Sequence, residues 1–440
     1  MDMKKTIKTL VISAAALALA GCDFLETTPN VISKETFYSS EAEVRQGLVG
    51  VYGVLNNEAF YGNKYSLMMS NVDDLCYFNR TSTSNYTQWY THDASASEIY
   101  EAWVEIYKGI RNANCFIADM AGNELDKDGN YANEARFLRA FYHFILAQGW
   151  GDVPLKDKPT TNPNEVQGPA TAQADILKWV CTEIEACIGH AEGNEFYAVA
   201  NQPSRVTVTT MKGILARVNL FMAGVTVEIG DAEKTACLTR ARDLCREVMD
   251  SRLHNLHPDY TRVFTNMMSD QYDTQYRESM WEVEFLGDRS SASSWSNGRI
   301  GDVMGLQSTP ASNFGEMNCN YSYGMYNGSL KLWDLYWTED RTEAEDKLPT
   351  VTDRRQNWNM SPYNYAGNNN WPPYGTPGLS GTGKSVNGMD KTPYVYNNSS
   401  TTMDPLTAAG IRNAGKWRRE TQYEGHMVAK SLYTCVNFPL

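Results

Sequence analysis

Two stretches of this 440-residue chain concentrate side chains suited to holding a polyhydroxylated ligand. Between positions 71 and 93 stand Asp73, Asp74, Tyr77, Asn79, Arg80, Asn85, Tyr86, Gln88, Trp89 and Tyr90. Flat Trp and Tyr faces stack on the C–H patches of a sugar ring, while carboxylates, amides and guanidinium groups bond its hydroxyls. The second stretch carries Trp295, Asn297, Tyr321, Tyr323 and Tyr326 among Gly, Ser and Asn. Both lie in loops, where binding residues concentrate. The competing reading of any one ring is that it simply pins its loop.

Other chemistry is poorly supported. Gly378-Leu-Ser-Gly-Thr-Gly-Lys-Ser385 has full P-loop spacing, but Pro-rich sequence precedes it and Val386-Asn-Gly-Met-Asp390 follows. A phosphate cradle needs a buried strand before the loop and a helix after it. His254-Asn-Leu-His257 lacks the glutamate of a zinc protease helix, and Asp126-Lys-Asp-Gly-Asn130 has Tyr131 where a calcium loop turns on glycine. No metal or cofactor is expected. No G-x-S-x-G elbow occurs, and adjacent carboxylates such as Asp73 and Asp74 are too common to indicate a glycosidase.

The elements that must position these loops are helical. Apolar positions repeat at three and four over 40–55 (Val44, Leu48, Val51, Leu55, with Ser39 or Ser40 as cap). They do so again over 97–119 (Ile99, Trp103, Ile106, Ile110, Ala113, Ile117) and 133–148 (Phe137, Leu138, Phe141, Ile145, Leu146). Further helices are predicted over 171–190 (Ile176, Val180, Ile184, Cys187, Ile188), over 209–223 (Met211, Ile214, Leu215, Val218, Met222), and from an Asp231 N-cap (Ala241, Leu244, Cys245, Val248). Six amphipathic helices joined mostly by short connections imply a mainly α fold, an antiparallel stack. Aromatic and small residues mix on their faces, as Trp103 with Gly109 and Phe137 with Ala140, so the pairing is TPR-like, without a strict repeat period.

From about 251 onward Pro, Gly, Asn, Ser and aromatics dominate. Only 281–285, alternating and β-prone, and 330–337 read as regular elements. The density of Trp and Tyr argues against disorder there. The predicted organisation is one domain over 22–440, with a helical scaffold over about 30–250 and an irregular, aromatic-rich binding face over 251–440.

Lys4, Lys5 and Lys8 precede an apolar run from Leu10 to Ala20, and Leu19-Ala20-Gly21-Cys22 matches a lipobox. Residues 1–21 therefore read as a lipoprotein signal peptide, with Cys22 the lipidated first residue of the mature protein. Its acyl chains would be the only membrane anchor. Losing Lys4, Lys5, Lys8 and Asp2 moves the net charge from −13 to −15. An acidic chain repels phosphate backbones, so nucleic acid is not an expected partner. Cys115, Cys181, Cys187, Cys237 and Cys245 fall inside helical patterns, where buried free thiols are the plain expectation.

Three passages resemble the SusD/RagB family. The first runs from Cys22-Asp-Phe-Leu-Glu26 through Phe37-Tyr38 to Gly50-Val-Tyr52. The second, the most specific, is Glu134-Ala-Arg-Phe-Leu-Arg-Ala-Phe-Tyr142 followed by Gly149-Trp-Gly-Asp-Val-Pro154. The third is Glu278-Ser-Met-Trp-Glu-Val-Glu-Phe285, with Asp353-Arg-Arg355 and Asn437-Phe-Pro-Leu440 as weaker echoes. The resemblance implies four TPR-like units bearing an irregular face, docked as a lid on a SusC-like TonB-dependent outer-membrane transporter. It implies capture of oligosaccharide at the lid without catalysis, with Asp23 and Glu26 as the signal for the outer surface. The same resemblance points to Trp89, Tyr86 and Asn85 as leading ligand residues, with Tyr90, Asp73 and Arg80 beside them, and to Trp295 and Tyr323 after the 281–285 segment. Peptide binding, as in RagB-like members, and surface glycoside hydrolysis are the alternatives. Similar proteins continue past the Asn437-Phe-Pro-Leu440 position into further helices, so C-terminal helices are expected to be missing here.

Overall fold

In the computed structural model, residues 37–69, 75–78, 95–199, 203–268 and 271–285 are described, with short strand segments beyond them. Contacts group the chain into units 1–47 and 48–440. In the first, Ser40 caps helix α1 (Glu41–Tyr52). The Glu43 carboxylate closes the cap reciprocally: its Oε2 accepts from the Ser39 amide at 2.9 Å and from the Ser40 hydroxyl at 3.0 Å.

The second unit is built on α2 (Lys64–Met69), α3 (Ser97–Met120), α4 (Asn130–Trp150), α5 (Gln173–Ala191), α6 (Val208–Met222), α7 (Asp231–Ser251) and the short α8 (Thr261–Met268). From α3 to α7 each helix packs chiefly on its sequence neighbour. Side-chain partners run in opposite order along each pair. On α3 and α4, Trp103 meets Trp150, Gly109 meets Tyr142 and Asn114 meets Arg139. On α4 and α5, Asn133 reaches Cys187, Arg139 reaches Glu183 and His143 reaches Trp179. Helices α5 and α7 instead run parallel, joined by Lys178–Glu233 at 3.0 Å and Arg240–Glu185 at 2.8 Å. Antiparallel neighbours with next-but-one helices parallel is the geometry of a stacked two-helix repeat, as the sequence implied.

Helix α4 is the centre of the core. The sequence suggested one apolar face, but nearly every residue from Tyr131 to Ala147 is buried, including Asn133, Glu134, Arg139 and His143. On α3 the inward stripe differs from the predicted one. Ala102, Ile106, Gly109, Ile110, Ala113 and Phe116 are buried, while Ile99, Trp103 and Ile117 are only half-buried.

Several expectations need correction. Asp231 is the first helical residue and Gly230 the N-cap, so its carboxylate acts on the helix dipole and makes no cap bond. Cys187 and Cys237 are buried as expected, but Cys115 and Cys245 are exposed because their positions turn outward on α3 and α7. All five of these thiols are free. The 281–285 segment is extended, with the Glu282 amide donating to Pro203 O at 2.9 Å, but forms no ladder strand among the described residues. The predicted element at 330–337 lies outside the described residues except for Leu335.

Short strands complete the described structure. Strand β1 (Cys76–Phe78) pairs antiparallel with β2 (Tyr326–Gly328), and β7 (His426–Met427) links β2 to β3 (Met360–Ser361). A separate sheet orders β4 (Tyr363–Tyr365), β6 (Met389–Pro393) and β5 (Lys384–Val386). Lys384 and Ser385 of the P-loop-like motif thus enter a hairpin strand, not a helix N-terminus.

Candidate functional site

The sequence-predicted ligand residues Asp73, Arg80, Asn85, Tyr86, Trp89, Tyr90, Trp295 and Tyr323, and the lipidation site Cys22, lie outside the described residues. What is described is a short strand from each of the two stretches. Strand β1 lies within the first candidate stretch and carries its Tyr77, and β2 opens on Tyr326, the last aromatic residue of the second. Their register aligns Phe78 with Tyr326, Tyr77 with Asn327 and Cys76 with Gly328. The backbone therefore joins one edge of each stretch in a single ladder, although 248 positions separate the paired residues 78 and 326 in sequence. At its other edge, the first stretch leads into α3 at Ser97.

Helix α3 is held at that end by rings. Trp103 lies 4.8 Å from Tyr107 and 5.8 Å, edge-on, from Trp150, which stacks on Tyr65 at 6.2 Å. The Tyr107 hydroxyl donates to Pro154 O at 2.7 Å.

The segment Gly149–Pro154 is a turn whose residues each have a structural task. Gly151 caps α4 at φ 74° and ψ −117°, a conformation open to glycine, and its amide donates to Ala147 O. Asp152 Oδ1 accepts from the Gln173 amide at 2.8 Å, capping α5 from outside. Val153 exchanges both backbone hydrogen bonds with Thr171.

The polar residues of the Glu134–Tyr142 motif are likewise absorbed by structure. Glu134 is fully buried. It pairs with Arg205 and accepts from the Tyr52 hydroxyl, which in turn accepts from the Val206 amide at 3.0 Å. Burial holds the Glu134 carboxyl above its usual range, against the lowering effect of Arg205 and Tyr52. Arg136 and Arg139 both pair with Glu183, at 3.1 and 2.8 Å, and hold its carboxyl below its usual range against the opposing effect of burial. Arg139 also donates to Asn114 and to Asp157 O. His143 accepts the Lys156 amide at Nε2, 3.1 Å, so its Nδ1 carries the proton toward Arg139 O at 2.9 Å. Burial lowers its pKa to about 4, keeping the ring neutral.

A shallow cleft open to solvent is bordered by Thr207, His254, Arg277, Glu278, Ser279 and Glu282. Its polar groups mostly serve their own backbone. His254 Nδ1 is 2.7 Å from Arg277 O and so donates there, leaving Nε2 to accept from the Thr209 hydroxyl at 2.8 Å. Glu278 accepts from the His257 amide at 2.7 Å. Burial raises the Glu282 carboxyl. The calcium-like Asp126 accepts the Tyr131 and Ala132 amides at 2.9 Å each and is a helix cap. Among the described residues no group of three or more His, Cys, Asp or Glu could hold a metal ion. No described helix is long and apolar enough to cross a membrane.

Sequence reasoning missed one exposed feature. Tyr100 and Val104 on α3 are 65% and 44% exposed. Their i, i+4 spacing off the inward stripe was the available signal.

Residues 23–211 match a family model described as SusD-like, "Starch-binding associating with outer membrane". Two curated SusD-like proteins of Formosa agariphila are 24% identical over 60% of this chain and 22% identical over 80% of it. The chain spans only 49% and 66% of those relatives' lengths. Among solved structures, a SusD homologue from Bacteroides thetaiotaomicron superposes with a TM-score of 0.67 at 19% identity, covering 91% of this chain and 68% of that one. A laminarin-binding SusD-like protein superposes at 0.55 with 20% identity, covering 68% of this chain and 64% of that one. At these identities the superpositions establish the shared helical fold.

Proposed function

We propose that this chain, whose residues 23–211 match a SusD-like family model, captures oligosaccharide without catalysis and delivers it to a SusC-like TonB-dependent transporter. The mature protein is anchored by acyl chains on Cys22 and faces the cell exterior. Trp89, Tyr86, Asn85 and Tyr90, with Asp73 and Arg80, form one wall of the site, and Trp295 and Tyr323 the other. Ring stacking supplies contact area and the carboxylates, amide and guanidinium bond hydroxyls, so a soluble glycan exchanges its water for fixed partners.

The observation that carries this reading is the β1–β2 ladder. Pairing of Phe78 with Tyr326 supports a common face for two stretches that are distant in sequence and both rich in aromatics and amides. The laminarin-binding relative supports the ligand class. Calorimetric titration of the mature protein against oligosaccharides and peptides tests it. Saturable glycan binding with no change in the glycan supports the proposal. Peptide binding alone, or release of shortened sugars, overturns it.

A further inference from the structure

A face of α3 offers a platform beyond the loops. At 100° per residue, Tyr100, Trp103, Val104 and Tyr107 fall within an arc of about 100°, spanning two helical turns. None of the four is buried, and Tyr100 is 65% exposed. An aromatic ring that open on a helix of an otherwise well-packed scaffold is left without the burial that would justify it as core. Its neighbours are fixed: Trp103 is wedged between Tyr107 and Trp150. A row of charge borders the platform on one side, with Glu101 paired to Lys64 and Lys108 paired to Glu105 at 2.9 Å.

We infer that this α3 face is an accessory oligosaccharide subsite, with Tyr100 as its stacking ring and the Glu101–Lys64 pair and Lys108 as hydroxyl partners along its edge. The inference rests on the proposed glycan capture and extends it from loops to scaffold. A protein partner is the less suited occupant. Rings alternate here with one valine beside a continuous charged edge, which matches the alternation of C–H faces and hydroxyls on a sugar better than the apolar centre of a protein interface. Stacking on a helix costs less ordering than stacking on a loop, because the ring's backbone is already fixed.

The test uses the mature full-length protein, with laminarin and starch oligosaccharides of increasing length as probes. Tyr100→Ala is expected to weaken binding of the longer chains about three- to tenfold and to leave the shortest bound chain unchanged. Tyr100→Phe, which keeps the ring, should bind like the wild type. Because Tyr100 is exposed, thermal melting should be unaltered in both variants. If the wild type binds glycan and Tyr100→Ala binds every length equally well, the subsite is overturned while the capture reading stands. If the wild type binds no glycan, both fall. If Tyr100→Ala keeps glycan affinity but loses association with a co-expressed transporter, the face belongs to a protein partner and the inference fails.

Discussion

The ring of Tyr142 occupies the space where a side chain on Gly109 would begin: a Cβ at position 109 would lie 2.8 Å from Tyr142 Cε2. The ring cannot retreat easily, since it is fully buried and its hydroxyl donates to Val51 O at 2.6 Å. Gly109→Ala sets two effects against each other. Helix propensity gains roughly 0.5–1 kcal/mol, while overpacking against a held ring costs roughly 1–3 kcal/mol. Net destabilisation of about 1–2 kcal/mol is expected by urea unfolding. A more stable variant would contradict the packing.

Arg205→Ala leaves the Glu134 carboxylate buried beside only the Tyr52 hydroxyl. The cost should be about 3 kcal/mol at pH 8. Burial already raises the Glu134 pKa, and losing Arg205 raises it further. A raised carboxyl is stabilised by protonation, so the variant's deficit should shrink as pH falls from 8 to 5. Urea midpoints of wild type and variant at both pH values check this, and a deficit independent of pH would rule out a charged Glu134 as its cause.

His143 titrates in the opposite sense. Its folded pKa of about 4 lies below the ordinary 6.5, so between those values the unfolded chain binds more protons than the folded one. Stability therefore falls as pH drops from 6.5 toward 4, with a contribution from this residue of at most about 3 kcal/mol. His143→Gln should be less stable at pH 7 yet show a flatter decline through that window. Identical slopes in variant and wild type would assign the acid sensitivity to other groups.

Asp152→Ala removes the acceptor for the Gln173 amide at the start of α5. A loss of about 1 kcal/mol is expected, the usual size for an N-terminal cap. Hydrogen exchange should quicken most at the first turn of α5; unchanged exchange there would show that solvent replaces the carboxylate.

These predictions fall on residues whose tasks were only partly legible in sequence. The long helices could be read because Ile106, Ile110 and Ala113, or Ile176, Val180 and Ile184, repeat at helical spacing and are indeed buried. The burial of α4 on nearly all sides could not. Arg136, Arg139 and His143 look like the polar face of an amphipathic helix until Glu183, Asp157 and Lys156 are brought beside them, and Glu134 falls on the apolar side, where Arg205 and Tyr52 receive it; those partners come from other elements. The motif carries the resemblance to SusD-like proteins while its residues serve the scaffold. Helix α2 and strands β1 and β2 are too short to carry a period, so the ladder joining Phe78 to Tyr326 had no local signal. Tyr100 was hidden by its neighbour Ile99, which was assigned to the inward stripe.

The measurement that bears most directly on the central claim is a side-by-side titration of the mature wild type and Trp89→Ala with the glycan that the wild type binds best, with the sugar recovered and sized afterwards. The account predicts saturable binding by the wild type, binding at least tenfold weaker or absent in Trp89→Ala at an unchanged melting temperature, and intact glycan at the end. Equal affinity in the two proteins, or a glycan shortened by the wild type, would contradict it.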